Sequence, residues 1–250
     1  MTASTAPFPA ALSLKQSSFD SQRHFRTDHF HADLRIRSIR GGAVTLAAQS
    51  GKFTLQLCST MILARLLTPA DFGLVAMVTA ITGFIGLFKD LGLSQATVQR
   101  EHITHAQVST LFWINVIASA LLMMLIAALA PVIALLYHEP RLMWITLALA
   151  GSFIFSGLVV QHQALLRRQM KFTTLVLIEL VSLLISVMIA LILAVNGLHY
   201  WALVAQTIVQ AIAYCALIWL CCDWRPQRWS RGSGVRTMLA FGRDLTGFNV

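Results

Sequence analysis

Six long apolar blocks dominate the chain and leave few folds open to it. They cover approximately residues 43–66, 72–91, 108–136, 141–163, 173–195 and 199–221. A helix of about 20 residues crosses the ~30 Å hydrocarbon core of a bilayer, and each block is long enough to do so. Backbone groups in lipid must be hydrogen-bonded internally, and the blocks are too long for barrel strands. The sequence therefore predicts an all-α integral membrane protein.

Charge is too scarce for a soluble fold. Of the 250 residues, 57% are hydrophobic and 12% are charged, whereas soluble domains carry about 25% charged residues. The formal net charge is +9, but the basic residues lie between the apolar blocks and not on one face. That is the pattern of membrane orientation signals. No nucleic-acid partner is predicted.

The basic residues alternate between the two sides of the predicted bundle. The tail before the first block has six Lys or Arg. The second, fourth and sixth connections carry Lys89, Arg100, Arg167, Arg168, Lys171, Arg225, Arg228, Arg231 and Arg236. The other connections hold almost none. The positive-inside rule therefore predicts that the N-terminus and the even-numbered connections lie in the cytoplasm.

The chain divides into four predicted parts. Residues 1–40 are a polar cytoplasmic tail, residues 41–222 are a six-helix N-terminal transmembrane lobe, and residues 223–238 are a basic cytoplasmic loop. Residues 239–250 begin another apolar block, but twelve helical residues reach only about 18 Å. We expect the start of a seventh helix, cut off part-way; a short interfacial segment is the alternative.

Lys52 lies in the middle of the first block. A charge at that depth costs at least ~2.5–3.5 kcal/mol on insertion scales and usually faces a protein interior or a wet cavity. It belongs to a polar stripe with spacings of four, three, four and three: Thr45, Gln49, Lys52, Gln56 and Ser59. These spacings place all five residues on one helical face.

Glu179 is a second charge within the apolar blocks. Both its block and that of Lys52 start in the cytoplasm, so the depths of the two residues can be compared. They are ~10 Å for Glu179 and ~14 Å for Lys52 at about 1.5 Å per residue, so we expect the side chains to meet in the cytoplasmic half of the bundle. Two interpretations stay open. One is a structural ion pair; the other is a cavity-lining cation for an anionic substrate, with an acid for coupling.

Patterns that indicate an enzyme or a metal site are weak. The cysteines form no CxxC pair and no metal spacing, and we expect them to pack: Cys58, Cys215, Cys221 and Cys222. His29 and His31 are expected to belong to a solvated tail. No Ser/His/Asp set or phosphate-binding loop is present in the sequence. The sequence predicts no enzyme, no catalytic residue, no metal and no cofactor.

Five segments at the block junctions indicate a family. They are "ILARLLTPADFGLVAM" (62–77), "DLGLSQATVQR" (90–100), "STLFWINV" (109–116), "ALLRRQMKF" (164–172) and "FGRDLTGFN" (241–249). In this order they resemble the helix junctions of the polysaccharide-transport flippases of the multidrug/oligosaccharidyl-lipid/polysaccharide exporter superfamily. The last resembles the start of that family's seventh helix.

This resemblance implies a transporter of twelve or more helices, with two lobes around a central cavity. Such proteins move lipid-linked oligosaccharide, usually on undecaprenyl diphosphate, across the cell inner membrane for polysaccharide or lipopolysaccharide assembly. Membrane lipids and polysaccharide polymerase machinery are the further expected partners. Two alternatives remain: a drug or metabolite exporter of the same superfamily, and a membrane scaffold or truncated product that does not transport.

The implied substrate also suggests which residues bind it. A diphosphate linker needs cations at membrane depth, which makes Lys52 a candidate and Arg65 a second one near the outer end. Sugars need amide partners, and the candidates are Gln49, Gln56, Gln206 and Gln210. Arg65 also belongs to a junction segment, so fixing the helix end is its alternative role. We expect Arg167 and Arg168 to be orientation signals and headgroup contacts, and Trp113 and Asn115 to anchor and pack the third helix.

Overall fold

The computed structural model describes residues 34–86 and 104–227. Within these ranges the chain forms seven helices and no strand: α1 (Leu34–Leu66), α2 (Pro69–Gly86), α3 (His105–Leu136), α4 (Arg141–Ala150), α5 (Ser152–Arg168), α6 (Phe172–Val195) and α7 (Tyr200–Cys221). Some of the sequence predictions lie outside the described residues: the two tail histidines, the block 239–250, and the basic residues Lys89, Arg100, Arg228, Arg231 and Arg236.

Five helical segments of the described ranges are long and apolar enough to cross a membrane: α2, α3, α4 with α5, α6 and α7. The chain continues with helical dihedral angles through Gly151 (φ −56°, ψ −26°), so α4 and α5 together form one 28-residue segment. The prediction of an all-α, multi-pass membrane protein is confirmed. Helix α1 has 33 residues, but its polar side chains make it less apolar than these five, and the sixth span stays a prediction.

Helix α1 begins earlier than the apolar block that predicted it. The block starts near residue 43, whereas the helix starts at Leu34 and includes the basic residues Arg35, Arg37 and Arg40. Hydropathy reports where a segment becomes apolar enough for lipid, but a helix can continue into water as long as nothing breaks its hydrogen bonds. No proline lies between residues 34 and 66, so the polar sequence stays helical.

Small residues bring α1, α6 and α7 together. Leu63, in the last turn of α1, and Leu67, just after it, pack in one cluster with Ala190 and Ala194 of α6 and Ala202 of α7. Alanines allow helix backbones to approach closely in a membrane. Helices α1 and α6 therefore end at the same level, which we call the outer end of the bundle. The inner end is the opposite one, where α3 starts and α7 ends.

Helices α3 and α5 cross at Gly157. A Cβ atom added to this glycine would lie 2.6 Å from Oγ of Ser119 and 3.0 Å from the backbone oxygen of Asn115. Both of these residues are buried, and the polar atoms of the Asn115 side chain make no hydrogen bond within the described part of the chain. Asn115 thus packs inside the helix pair, and only a hydrogen atom fits between the two backbones.

Asp71 connects the starts of two helices at the outer end. Its carboxylate accepts hydrogen bonds from the backbone N–H (3.0 Å) and the hydroxyl (2.7 Å) of Thr68, just before α2. It also faces Nδ1 of His199 at 3.9 Å and the backbone N–H of Tyr200, at the start of α7. A carboxylate is favourable beside the positive end of a helix dipole. Asp71 therefore holds the α1–α2 connection against the α6–α7 connection.

The chain after α7 folds back over α3. In residues 222–227 the side chains alternate between buried and exposed, and Trp224 is inserted into the bundle with 2% exposure. The backbone N–H of Gln227 donates to Oγ of Ser109 (3.1 Å), and Nε1 of Trp113 donates to the backbone oxygen of Gln227 (2.9 Å). These contacts fix the segment against the first turns of α3.

Candidate functional site

Lys52 and Glu179 contact each other between α1 and α6. The Nζ atom of Lys52 donates a hydrogen bond to Oε1 of Glu179, across 127 positions of the sequence. The side chains are 33% and 34% exposed on the surface of the lobe. The pair is therefore half-buried, and a ligand can reach it without unfolding the bundle.

The pair lies at one depth because the two helices end at one level. Lys52 is 14 residues before the last residue of α1, and Glu179 is 16 residues before the last residue of α6. At about 1.5 Å per residue these positions are about 21 and 24 Å from the outer end. The hydrocarbon core is ~30 Å thick, so the ion pair lies in the inner half of the bundle.

A second polar contact joins α1 to α7 closer to the outer end. The Nε2 atom of Gln206 donates to Oγ of Ser59 at 3.3 Å. Ser59 is 1% exposed and Gln206 is 9% exposed, so this bond is enclosed by the helices. Because Ser59 lies about two turns from Lys52 along the same helix, the contact fixes the face of α1 that carries the lysine.

Gln206 belongs to a polar column on α7. Gln206, Gln210 and Tyr214 follow each other at intervals of four residues, which places them on one helical face. Because α7 runs antiparallel to α1, Gln210 lies nearer the inner end than Gln206. Tyr214 packs against an apolar cluster that includes Ile178 of α6, and the charges of Glu179 and Arg167 both act on its hydroxyl. We call this set the polar seam: Lys52, Ser59, Glu179, Gln206, Gln210 and Tyr214.

Tyr214 was missed by the sequence analysis. Tyrosine in an apolar helix is usually explained as a packing residue with a polar tip, so its presence alone carries little information. The available signal was its spacing, which continues the interval from Gln206 to Gln210. Its proximity to Glu179 depends on how α6 and α7 pack, and that packing is not visible in either helix alone.

The hydroxyl groups of the two buried serines of α6 donate within their own helix and are not available as donors to a ligand in the seam. Ser182 and Ser186 are buried, and each hydroxyl donates to a backbone oxygen of its own helix, Glu179 at 2.9 Å and Leu183 at 2.8 Å. Hydroxyls satisfied in this way pack between helices at little cost. The stripe that they form with Glu179 is therefore mainly a packing surface.

The other candidate residues lie at the edge of the seam or away from it. Gln49 and Gln56 are exposed and flank Lys52 on α1, at three and four positions from it, whereas Gln210 is half-buried. Arg65 is exposed, and thirteen residues of helix place it about 20 Å from Lys52 and about 140° around the axis. The structure therefore does not bring Arg65 to the seam.

The two basic residues at the end of α5 have different environments. Arg167 is exposed, whereas Arg168 is buried with 8% exposure. An exposed arginine at the inner end can reach lipid headgroups. Arg168 is enclosed by the bundle, so the expected headgroup contact fits Arg167 alone.

The seam combines three kinds of recognition group. The Lys52 ammonium can bind an anion, the amides of Gln206 and Gln210 can both donate and accept hydrogen bonds, and the Tyr214 hydroxyl can do the same. Glu179 neutralises the lysine, so the seam carries no net charge as it stands. Such a surface suits a ligand that is anionic in one part and rich in hydroxyl groups in another.

Comparison with known proteins identifies the family. A family described as polysaccharide biosynthesis protein matches residues 62–250. The teichuronic acid biosynthesis protein TuaB of Bacillus subtilis is 31% identical over 132 residues, which is 53% of this chain and 27% of that protein. The succinoglycan biosynthesis transport protein ExoT of Rhizobium meliloti is 28% identical over 176 residues, 67% of this chain and 34% of that protein. The lipopolysaccharide biosynthesis protein WzxC of Escherichia coli is 24% identical over 176 residues, 70% of this chain and 35% of that protein.

The chain spans 27% to 35% of the length of these relatives. No solved structure matches it. The matched region holds Glu179 and the polar column of α7, while Lys52 and Ser59 precede it. The region that the family model matches, residues 62–250, covers well over half of the sequence. The chain belongs to the polysaccharide biosynthesis protein family.

Proposed function

We propose that this chain forms the N-terminal lobe of a transporter that moves lipid-linked oligosaccharide across the inner (cytoplasmic) membrane. The product of this step would be used in polysaccharide or lipopolysaccharide assembly. Three findings support the proposal: membership of a polysaccharide biosynthesis family, similarity to a protein named as a transport protein, and a multi-pass helical architecture. The chain acts by moving its substrate and makes or breaks no covalent bond in it.

The observation that carries the proposal is an ammonium group on a partly open surface, about 21 Å of helix from the outer end of the bundle. Charged residues within spanning helices are costly even when they are paired, and they usually mark an ion or substrate path. Lys52 is one-third exposed, and besides its partner Glu179 the seam contains the amides of Gln206 and Gln210 and the hydroxyls of Ser59 and Tyr214. A diphosphate linked to a sugar presents the matching anionic oxygens and hydroxyl groups.

Deletion of the gene tests transport against synthesis. We expect the deletion strain to lose surface polysaccharide and to accumulate the lipid-linked oligosaccharide, because assembly of the intermediate does not need the transporter. The measurement is the amount of lipid-linked intermediate extracted from membranes. Loss of the intermediate together with the polysaccharide would indicate a role in synthesis and would contradict the proposal.

The proposal includes an orientation with the N-terminus in the cytoplasm. The outer end, with Asn196 between α6 and α7, then faces the periplasm, and the inner end, with Arg167, faces the cytoplasm. We expect a cysteine at Asn196 to react with an impermeant thiol reagent added to intact cells, and a cysteine at Arg167 to react only after the cells are opened. The reverse pattern would contradict the orientation.

The labelling experiment needs a background without reactive cysteines. Cys58 and Cys221 are exposed and should be replaced first. Cys222 is buried, and burial raises the pKa of its thiol, so it should react slowly. Arg167 is a better probe position than Arg168 because Arg168 is buried.

A further inference from the structure

Residues 222–227, which we call the strap, cover the inner end of the bundle with one inserted side chain. The ring centroid of Trp224 lies 5.1 Å from that of His162 on α5 and 6.0 Å from that of Phe112 on α3, both in edge-to-face arrangements. Trp224 and Cys222 belong to one buried cluster, with 2% and 3% exposure. The indole therefore helps to cover the Cys222 thiol.

This pocket holds two buried polar atoms that make no hydrogen bond within the described part of the chain: Nε1 of Trp224 and Nε2 of His162. The Nδ1 atom of His162 lies 3.1 Å from the backbone oxygen of Leu158. In the neutral imidazole Nδ1 therefore carries the hydrogen, and Nε2 is left as an acceptor. Buried polar groups are normally paired, and an unpaired donor or acceptor opposes burial. Both atoms would gain water as a partner if the indole withdrew.

We propose that the strap is a reversible latch: the Trp224 indole docks between His162 and Phe112, and it withdraws while the helices stay packed. The docked latch holds Gln227, and with it the start of the chain that follows, beside the first turns of α3. In the open latch this connection is released and solvent reaches Cys222. The inference does not depend on the proposed function, because the strap lies away from the contact between α1 and α6.

The hydrogen bonds of Arg225 brace the strap internally. Its guanidinium donates to the backbone oxygens of Cys222 and Trp224, which belong to the strap itself. Its contact with the bundle is a cation–π contact, 5.6 Å from the ring of Trp219 on α7. Arg225 is exposed, and such contacts are weak where water is present. The arginine can therefore move together with the strap.

The far end of the strap is attached at the rim of the bundle. Residues 222–227 form no helix or strand. The backbone N–H of Gln227 donates to Ser109, and its backbone oxygen accepts from the exposed indole of Trp113. Segments that expose their backbone hydrogen bonds open locally at a lower free energy than the core does. The close contact of α3 with α5 at Gly157 lies deeper in the bundle and does not need to change.

The test is the rate at which N-ethylmaleimide modifies Cys222 in the 250-residue chain in lipid nanodiscs. The other three cysteines are replaced by serine: Cys58, Cys215 and Cys221. The same single-thiol chain denatured in SDS gives the rate for an uncovered thiol. All rates are measured at one pH, because burial raises the pKa of the Cys222 thiol. Loss of helical circular dichroism gives the rate of global unfolding.

Three variants of the single-thiol chain locate the cover. Trp224→Ala removes the indole, and Ser109→Ala removes the acceptor for the backbone N–H of Gln227. Ser182→Ala is the matched control, because Ser182 is also a buried serine but its hydroxyl donates to its own helix α6. Each variant is measured at a temperature at which its circular dichroism shows that it is folded.

For the single-thiol chain we expect modification that is about 10- to 1,000-fold slower than in SDS, since minor states are typically about 0.1–10% populated. It should still be faster than global unfolding. Trp224→Ala should react at least about tenfold faster than the single-thiol chain, within that same range of populations. Ser109→Ala should react about threefold faster, the usual effect of one hydrogen bond, and Ser182→Ala should not differ.

Two results would overturn the latch. Modification of the single-thiol chain no faster than global unfolding would show that the strap is a permanent anchor. An unchanged rate in Trp224→Ala would show that the indole does not control access to Cys222. If Trp224→Ala fails to fold, the serine variants decide, and a rate for Ser109→Ala no higher than that for Ser182→Ala would contradict the proposal.

Discussion

Replacing Gly157 with valine is expected to reduce the folded fraction of the protein more than any other single change considered. A Cβ at this position would lie 2.6 Å from Oγ of Ser119, 2.7 Å from its Cβ and 3.0 Å from the backbone oxygen of Asn115. The last two atoms cannot move without moving α3 itself. Overpacking a tight core costs about 1–3 kcal/mol, and valine adds two methyl groups beyond the Cβ.

The measurement is the apparent melting temperature of the purified protein in detergent, together with its abundance in the membrane. Gly83→Val is the matched control, because a Cβ at Gly83 has nothing within 4 Å. Both changes replace a helical glycine with valine, so the difference in helix propensity between these two residues contributes equally to both variants. A melting temperature for Gly157→Val equal to that of the control would show that α3 and α5 do not approach as closely as described.

Replacing Glu179 with alanine is expected to destabilise the protein by leaving Lys52 unpaired. The upper bound is about 2.5–3.5 kcal/mol, the insertion cost of a single charge at the centre of a helix. The effect should be smaller than this, because the lysine side chain is 33% exposed and can reach partly toward water. Lys52→Ala leaves a carboxylate that is 34% exposed, so its effect should also stay below this bound.

The double change Lys52→Ala with Glu179→Ala should recover most of the lost stability. Removing both partners leaves no uncompensated charge, and replacing an ion pair with apolar groups is often neutral or stabilising. The comparison of the two single variants with the double variant gives the coupling energy of the pair. If the double variant is no more stable than Glu179→Ala, the loss does not come from an unpaired lysine.

The helices of the bundle could be predicted closely because lipid restricts the alternatives. The apolar blocks 173–195 and 199–221 correspond to α6 (Phe172–Val195) and α7 (Tyr200–Cys221) within one residue at each end. In a bilayer the backbone must satisfy its own hydrogen bonds, so a long apolar block has essentially one solution. The start of α1 was missed because the part of that helix before residue 43 is not apolar.

Contacts between distant segments were harder to predict. Asp71 lies in the junction segment 62–77, but no role could be predicted for it, because its partners His199 and Tyr200 follow it by more than 120 positions. The insertion of Trp224 was missed for the same reason. A local pattern determines which face of a helix is polar, but the neighbour of that face depends on the packing of the whole bundle.

Depth is the one long-range relation that the sequence does provide in a membrane protein. Lys52 and Glu179 were expected at similar depths in helices of the same direction, and the structure places them in contact. Depth alone does not decide which way a side chain faces. Arg65 also lies within the predicted lobe, but its rotation around α1 takes it away from the seam.

The most direct test of the account is the lipid-linked oligosaccharide content of cells in which Lys52→Ala replaces the native residue of the intact transporter. Because the seam ammonium is proposed to bind the diphosphate, we expect normal abundance of the protein in the membrane, loss of exported polysaccharide and accumulation of the lipid-linked intermediate. Gln49→Ala, at the exposed edge of the same helix, is the comparison and should have a smaller effect. Normal export and no accumulation in the Lys52→Ala strain, at normal protein abundance, would contradict the central claim that this lysine carries the substrate.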